Sequence, residues 1–364
     1  MKKLSARTRL YKRLDRYLFK WNLKVREEKS NSRVWKLPHE QLSSEELLMF
    51  KNNWEGWQPD SWSFYKAFGC TLAPGYVPND YYQWAEHVLN LRWAAFFLQQ
   101  KCCLKYFIPA QNRPKTVLQK IDGHYVFEDN TEISFAEAKK LLKQKDSFVC
   151  KVALGSGGGK GVKKVCLNKE EDADATLLRL LKPEDLIFQD LIHQSEFMSS
   201  FNPDSVNTIR LLTLNLNENC TVLSSFLRMG AKGSYVDNLC SGGGALVGIN
   251  QNGEINEFGI RKDYSKVYET PSGTLFKGLI VPKWNEVKNT VVQFHQRIPY
   301  ANLIGWDIAI GENDEPLVIE INLDSAEIEA HQVFNGPVFG ERLGEVRDYI
   351  NKKTPLIRHA LITY

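Results

Sequence analysis

Three oxygen-bearing side chains lie close together in the sequence near its C-terminal end. Asp307 belongs to the segment GWDIAI, while Glu320 and Asn322 end the segment PLVIEIN. Both segments alternate as β-strands do, and the polar turn at residues 311–314 predicts a hairpin. Because residues 320 and 322 have the same parity, their side chains can converge with Asp307 on one face. Two carboxylates and an amide suit Mg²⁺ shared with nucleotide phosphates. A surface hairpin with solvated acids is the alternative.

A glycine-rich segment, KVALGSGGGKGV, covers residues 151–162 between two predicted strands. Clustered glycines let the backbone approach an anion and present N–H groups to it. Lys151, on the strand before the loop, can reach inward to a nucleotide phosphate. The Walker pattern fails because Leu154 stands at its first glycine position and Gly161 follows the lysine. The dinucleotide pattern fails because a strand, not a helix, comes next. The segment predicts a phosphate cover, with a flexible hairpin tip as the alternative.

Two arginines, Arg210 and Arg228, lie on consecutive predicted strands in the middle of the chain. If residues 217–220 form the turn between the strands, the arginines lie roughly opposite each other, where like charges repel. An anion between them would relieve the repulsion. Both are therefore candidates to stabilise a transferred phosphoryl group or an acyl phosphate during catalysis. Pairing with a nearby acid such as Asp237, or exposure at a sheet edge, is the alternative.

The composition is that of an ordinary globular protein, large enough for two or three packed units. The 364 residues are 43% hydrophobic and 25% charged. A net charge of +4 is too small to indicate nucleic-acid binding. The seven cysteines form no CxxC pair, which argues against a disulfide framework and a zinc site and favours a reducing cytoplasm. We expect no secretory signal and no membrane-spanning helix, since the most apolar helical segment contains charged residues.

The N-terminal region has a distinct composition. Residues 4–26 place apolar side chains at helical spacing with basic residues between them. This predicts a basic amphipathic helix that docks on its own domain or lies on an anionic membrane, which would make the protein peripheral to the inner face. Residues 31–82 are rich in Trp and Tyr. We interpret these aromatic residues as core, with a sugar-stacking face as the alternative.

Periodicity and turn residues predict the remaining elements. Helices are expected near residues 43–52, 81–100, 134–145, 173–181 and 284–297. Strands are expected near residues 116–119, 125–128, 148–153, 163–167, 185–192, 208–216, 221–229, 245–249 and 254–258. The third helix has Ser134 and Glu137 at the spacing of a capping box.

The order of these features resembles that of the ATP-grasp superfamily. Lys151 and the glycine loop come first, then an apolar strand that ends in a hinge at residues 189–192, then Glu196, and finally the hairpin acids. The signatures NTIRLLTL, VDNLCSGGG, and GWDIAI with VIEIN resemble the sugar-transfer-associated ATP-grasp proteins found with polysaccharide biosynthesis. The resemblance covers about residues 85–340.

The resemblance implies an α+β (α/β) fold, in which the nucleotide is held between two α+β subdomains. Residues 1–84 would form an N-terminal helical and aromatic-rich region. Residues 85–200 would form the first part of the ATP-grasp fold, including a small glycine-loop subdomain at about 115–190. Residues 201–364 would form the C-terminal subdomain with the metal site.

The resemblance also implies roles for single residues. A strand lysine and the loop bind the phosphates, hinge backbone groups bind the adenine, and an acid binds the ribose hydroxyls. A further basic residue completes the phosphate site, for which we choose Arg92 over Lys115. The implied nucleotide-binding residues are Arg92, Lys151, Gly157, Gly158, Gly159, Lys160, Gln189, Asp190, Ile192 and Glu196, and the implied metal ligands are Asp307, Glu320 and Asn322. Many ATP-grasp ligases carry an arginine just before the first metal acid, where Gly305-Trp306 stands here. Because this arginine is missing, Arg210 and Arg228 are the candidates for its catalytic role.

The implied activity is that of an ATP- and Mg²⁺-dependent ligase. It would join a carboxylate to an amine through an acyl phosphate, on a sugar or amino acid of a surface polysaccharide. The expected partners are a small-molecule or glycan-precursor acceptor and a glycosyltransferase. The acceptor side is expected to include Asp237, Asn238, glycines 242–244, Ser325, Glu327 and His331. A phosphotransferase acting on a hydroxyl and a nucleotide-binding subunit that supports a glycosyltransferase are the alternatives.

Overall fold

The computed structural model describes residues 17, 38–156, 161–170, 172–181, 185–233, 244–324 and 326–353. Most of the predicted basic helix, the glycine-loop residues 157–160, and residues 234–243 lie outside this part, so the predictions for them stay predictions. The described chain forms helices and two antiparallel sheets, as expected for the α+β class. Its helices include none with the length and apolar character needed to cross a membrane.

The described residues that precede the first sheet are mainly helical. They contain α1 (Ser44–Asn53), α2 (Asp60–Ala67), α3 (Asn79–Leu89), α4 (Arg92–Leu98) and the 3₁₀ segments Lys101–Tyr106 and Ala110–Asn112. Helix α1 begins with a capping box between Ser43 and Glu46. Four of the described aromatic residues are clearly core, because Trp54, Trp62, Tyr65 and Tyr82 are at most 2% exposed.

The single helix predicted for residues 81–100 is interrupted at Asn90. This side chain is 1% exposed and makes four hydrogen bonds to distant backbone groups. Its amide donates to the carbonyls of Leu303 and Leu323, and its oxygen accepts from the N–H groups of Asn302 and Leu303. Burial of a polar side chain requires such partners, and here they lie more than 200 residues away. Tertiary contacts therefore decide where the helix breaks.

The first sheet contains six strands in the order β3-β2-β1-β6-β4-β5. The strands are β1 (Thr116–Ile121), β2 (His124–Val126), β3 (Glu132–Ile133), β4 (Ser147–Val152), β5 (Lys163–Cys166) and β6 (Leu186–Gln189). Helices α5 (Phe135–Lys143) and α6 (Ala173–Leu181) share a core with this sheet through residues such as Leu142, Leu177 and Phe148. The predicted capping box of α5, between Ser134 and Glu137, is confirmed.

The second sheet contains seven strands in the order β11-β10-β9-β8-β7-β12-β13. They are β7 (Thr208–Leu216), β8 (Asn219–Met229), β9 (Ala245–Ile249), β10 (Ile255–Arg261), β11 (Lys266–Val267), β12 (Leu303–Ile310) and β13 (Pro316–Asn322), accompanied by α7 (Glu196–Ser199), α8 (Trp284–His295), α9 (Ile328–Asn335) and α10 (Leu343–Lys352). Side chains of β7 enter two cores. Ile209 and Leu211 share one with α8, whereas Leu212 and Leu214 share the other with the N-terminal aromatic residues.

Candidate nucleotide and metal site

The hairpin of β12 and β13 brings together the three predicted metal ligands. Asp307 lies directly opposite Glu320 in the strand register, and Asn322 lies opposite Gly305, two residues away on the same face. The Asn322 side chain also helps to lower the pKa of Asp307. The predicted convergence is therefore confirmed, while metal binding itself stays a prediction.

Asp307 is a buried carboxylate held by two arginines. Nε of Arg210 donates to its Oδ1 at 2.6 Å, and a second Arg210 nitrogen donates to Oδ2 at 3.2 Å. Arg228 approaches Oδ2 at 3.6 Å. Burial works to raise the pKa of Asp307, but the attraction of Arg210 and Arg228 outweighs it and holds the pKa below its usual value.

The two arginines are not arranged as the sequence suggested. The turn is the two-residue pair Asn217-Glu218, both with positive φ, and β8 already begins at Asn219. With a further register shift between Leu212 and Thr213, Arg210 pairs with Phe226 and lies diagonally from Arg228. The arginines do share a carboxylate, because both contact Asp307. Glu327 adds a second one, 3.6 Å from Arg210 and 3.9 Å from Arg228.

Lys101 is a site residue that the sequence analysis missed. Its Nζ lies 3.2 Å from Glu320 and donates to the Ser156 carbonyl at 2.9 Å, so it joins the metal hairpin to the start of the glycine loop. Burial raises the pKa of Glu320, and the charge of Lys101 opposes that rise. Its position in the sequence could have identified Lys101, because it lies in the basic segment before β1. The 3₁₀ segment that orients it was not predicted.

The cleft between the two sheets is lined mainly by cationic and polar side chains. Its lining residues are Lys101, Leu104, Lys105, Arg113, Thr116, Gln119, Lys151, Ile187, Gln189 and Ile319. Lys151 is 8% exposed on β4 and reaches this cleft as expected. Arg92 and Lys115 are not among the lining residues. Arg92 begins α4, and the 80% exposed side chain of Lys115 lies 3.9 Å from Asp190.

The hinge residues follow β6. The Gln189 side chain faces the cleft and lies 3.4 Å from the Pro114 carbonyl. The N–H of Asp190 donates to the Lys115 carbonyl, and its carboxylate pairs with Lys145, so both groups already have partners. Ile192 is half-buried, and Glu196 is the exposed first residue of α7. The adenine and ribose roles of these residues stay predictions.

The donor set on the hairpin fits a Mg²⁺ ion. Within the ranges that the structure describes, no group of three or more His, Cys, Asp and Glu side chains could hold a metal. A metal at the hairpin would therefore rely on the carboxylates of Asp307 and Glu320, the amide oxygen of Asn322, and oxygens from water or phosphate. Mg²⁺ characteristically uses few protein ligands in this way.

His331 is buried near Arg210 and is not accessible as a base. It is fully buried, and its Nδ1 lies 2.9 Å from the Ser224 hydroxyl. Burial and the nearby Arg210 charge lower the pKa of His331 to about 3, so the imidazole is neutral at ordinary pH. Glu327 is more accessible, with its side chain 46% exposed. Ser325, Asp237 and Asn238 lie outside the described residues.

The two sheets, the cationic cleft between them and the acidic hairpin define an ATP-grasp fold. The chain belongs to the sugar-transfer associated ATP-grasp family, whose model matches residues 120–348. This confirms the family expected from the sequence. No curated protein matches the chain.

Solved structures with a similar fold include several ligases. The D-alanine-D-alanine ligase from Coxiella burnetii is 12% identical, with 72% of this chain and 60% of that chain covered and a TM-score of 0.38. D-alanyl-alanine synthetase A from Vibrio cholerae O1 biovar eltor str. N16961 is 15% identical, with 71% and 65% covered and a TM-score of 0.40. The ATP-grasp ligase PsnB is 12% identical, with 72% and 61% covered and a TM-score of 0.40. The chain thus spans less than two thirds of each.

Proposed function

We propose that this protein is an ATP- and Mg²⁺-dependent ligase that joins a carboxylate to an amine. The observation that carries the proposal is the pair of arginines held on Asp307, beside Glu320 and the cleft lined by Lys101 and Lys151. In such a site, the two lysines can neutralise the charge of a triphosphate. The two arginines can stabilise a phosphorylated carboxylate.

The proposed reaction has two balanced steps. A carboxylate oxygen of the substrate attacks the γ-phosphorus of ATP, the bond to the β-phosphate oxygen breaks, and an acyl phosphate and ADP form. An amine nitrogen then attacks the acyl carbon, inorganic phosphate leaves, and the nitrogen loses a proton to give the amide. No side chain needs to become covalently attached, so positioning and charge neutralisation carry the catalysis.

The chain's own residues would divide this work. Lys151 and Lys101 would bind phosphate oxygens, assisted by the glycine loop at residues 157–160. Arg210 and Arg228 would hold the acyl phosphate. Asp307, Glu320 and Asn322 would hold Mg²⁺, which when bound neutralises phosphate charge.

The biological setting that we propose follows from the family. The acceptor would be a sugar or amino acid of a surface polysaccharide, and a glycosyltransferase would be the partner of this cytoplasmic enzyme. The nucleotide would lie between the small subdomain at about residues 115–190 and the C-terminal subdomain at 201–364, with residues 1–84 as an accessory region.

Hydroxylamine provides a direct test, because it replaces the unknown amine and traps acyl phosphates as hydroxamates. The full-length protein is incubated with Mg-ATP, hydroxylamine and a panel of uronic acids and amino acids, and phosphorus NMR follows the products. We expect ADP, free phosphate and a hydroxamate. Phosphate retained on an organic product would indicate a phosphotransferase. No turnover with any member of the panel would favour a nucleotide-binding subunit.

Glu320→Gln tests the metal assignment in the same assay. We expect turnover to fall by about 100-fold or more, because the site would hold Mg²⁺ more weakly and the transferred phosphoryl group would lose that stabilising charge. The matched control is Glu312→Gln, an exposed acid in the turn of the same hairpin, which should keep its activity. An active Glu320→Gln protein would contradict the assignment.

A further inference from the structure

Two neighbouring cysteines lie beside the nucleotide site. Cys102 and Cys103 belong to the 3₁₀ segment Lys101–Tyr106, both are free thiols, and their sulfur atoms lie 4.0 Å apart. Cys103 is 1% exposed, whereas Cys102 is only half-buried, so a small molecule in solution can reach one sulfur of the two. We call these two residues the cysteine pair. A disulfide joins its sulfur atoms at about 2 Å, so the two thiols already lie within reach of each other.

The cysteine pair lies between two lysines that line the cleft. On one side, Lys101 contacts Glu320 of the metal hairpin and donates to the carbonyl of Ser156 at the start of the glycine loop. On the other side, Lys105 donates to the carbonyl of Glu128, which follows β2 in the first sheet. A change of the backbone at the cysteine pair would therefore displace both lysines relative to the parts of the molecule that they join.

A bond within the cysteine pair would change this backbone. Consecutive Cα atoms lie about 3.8 Å apart across a trans peptide bond, which is closer than the usual separation of two disulfide-linked residues. The bond would strain the turn in which the Cys103 N–H donates to the Gln100 carbonyl at 2.9 Å. The Gln100 side chain accepts a hydrogen bond from the Gly155 N–H at 2.8 Å, so the distortion would reach the glycine loop. Strained disulfides are also easily reduced, which would make the change reversible.

The two thiols differ in reactivity. The hydrogen bond with Cys103 lowers the pKa of the Cys102 thiol to about 7, against the effect of burial and with help from the charge of Lys105. Much of Cys102 is therefore thiolate at neutral pH, and the thiolate is the nucleophilic form. The same hydrogen bond and burial raise the pKa of Cys103, which keeps its proton. The cysteine pair thus combines an accessible nucleophile with a neighbouring thiol that can react with its oxidised form.

We propose that the cysteine pair is a site of reversible oxidation by hydroperoxides, in which a disulfide forms between Cys102 and Cys103 and weakens nucleotide binding. The Cys102 thiolate attacks one oxygen of hydrogen peroxide, the O–O bond breaks, and the departing hydroxide takes up a proton to form water. The Cys103 sulfur then attacks the sulfenic acid on Cys102, the S–S bond forms, and a second water leaves with the Cys103 proton. The two thiols lose two electrons, and the peroxide gains them.

Peptide mass spectrometry of the full-length protein tests formation of the bond. Trypsin cleavage after Lys101 and Lys105 releases the peptide CCLK. After treatment with hydrogen peroxide and alkylation of the remaining thiols, we expect this peptide to be unalkylated and lighter by two hydrogen atoms. Treatment with glutathione should restore alkylation of both sulfurs. A peptide from the oxidised protein that is alkylated on both sulfurs, oxidised to a sulfinic acid, or joined to another peptide would overturn the proposal.

Calorimetric titration with Mg-ATP tests the consequence for binding. The oxidised parent should bind Mg-ATP about ten-fold or more weakly than the reduced parent, because even a small displacement of Lys101 and Lys105 misplaces charges that the phosphates need. Cys102→Ser should keep its affinity after peroxide treatment. The matched control is Cys220→Ser, which removes a half-buried thiol on β8 and should lose affinity as the parent does.

The two measurements separate this proposal from the proposed function. Equal affinities of the oxidised and reduced parent, or equal losses in Cys102→Ser and the parent, would refute the effect of the disulfide on binding. That effect rests on the proposed nucleotide site, so a reduced parent that does not bind Mg-ATP would refute both together. Formation of the disulfide does not depend on the proposed function, and the mass of the peptide decides it independently.

Discussion

At the scale of single residues, Asp307 has competing roles. A metal ligand must offer its oxygens to the ion, yet here Arg210 occupies both of them and Arg228 approaches one. The carboxylate is buried, so without the arginines its charge would be costly. The arginines thus keep Asp307 ionised, and an arriving phosphate would compete with Asp307 for the same guanidinium groups.

The two arginines should differ in what they contribute to stability. Arg210→Met removes a two-fold hydrogen bond to a buried carboxylate, so the free energy of unfolding should fall by about 3 kcal/mol or more. Arg228 is also buried but its contact is longer, so we expect a smaller loss for Arg228→Met, of about 1.5 kcal/mol. Urea denaturation of both variants measures the difference.

A double variant separates burial of the charge from loss of packing. Adding Asp307→Asn to Arg210→Met removes the poorly compensated charge, so the double variant should be more stable than Arg210→Met alone. Equal losses for the two arginine variants, or no recovery in the double variant, would contradict this account of the pair.

At the scale of elements, helix α3 supports the loop between β13 and α9. Glu86 on α3 is 2% exposed, and its carboxyl accepts a hydrogen bond from the N–H of Ala326 at 3.3 Å. Burial, and next the charge of Asp324, raise the pKa of Glu86 to about 8. The loop also carries Glu327, which adopts a left-handed backbone conformation with φ of 60°. Glu86 thus helps to hold Glu327 beside the arginines.

The raised pKa of Glu86 predicts a specific pH dependence. The folded protein keeps the Glu86 proton up to about pH 8, whereas the unfolded chain releases it near the usual value of 4.5. The folded state therefore binds more protons between these pH values, and this contribution to stability is lost as pH rises through that window. Each pKa unit corresponds to about 1.4 kcal/mol.

Glu86→Gln removes this dependence because glutamine cannot ionise. We expect similar unfolding free energies for variant and parent at acidic pH, and a variant that becomes more stable than the parent by several kcal/mol at alkaline pH. Other titrating groups, such as the buried His331, are common to both proteins and cancel in the difference. Glu312→Gln, which changes an exposed acid in the turn between β12 and β13, is the matched control. A constant gap between Glu86→Gln and the parent at all pH values would refute the assignment.

At the scale of the whole molecule, the cleft depends on both sheets and on the segment between α4 and β1. Lys151 and Gln189 come from the first sheet, Ile319 from the second, and Lys101 from the segment after α4. A nucleotide bound there would contact all three parts. It should stabilise the molecule as a unit, because a ligand that binds only the folded state raises its stability.

Mg-ATP should therefore raise the unfolding temperature. At 100 times the dissociation constant, the expected stabilisation is about 2.7 kcal/mol. Lys151→Met should lose most of this shift because the buried lysine reaches the cleft, whereas Lys140→Met, an exposed lysine on α5, should keep it. Differential scanning calorimetry measures the shift. Equal shifts in both variants would argue against a phosphate role for Lys151.

The sequence alone determined the features that depend on neighbours in the chain. The helix Ala173–Leu181 and the strand Thr208–Leu216 match their predicted bounds, and the capping box at Ser134 is present. Alternation also placed Glu320 and Asn322 on one face, but Asp307 faces Glu320 only because of a register shift between Asp307 and Ile308, which the sequence did not predict. The family could be recognised because its motifs keep their order along the chain.

Only the tertiary structure decided the contacts between residues far apart in the chain. Buried hydrogen bonds interrupt the predicted helix at Asn90. Lys101 is the cation that pairs with Glu320, and Arg210 and Arg228 both contact Asp307. These partners lie roughly 80 to 220 residues apart, and local spacing carries no information about which basic residue reaches which acid. Burial determines these pairs, because an ionised carboxylate that is removed from water is stable only beside a cation, and the fold determines which cation lies near it.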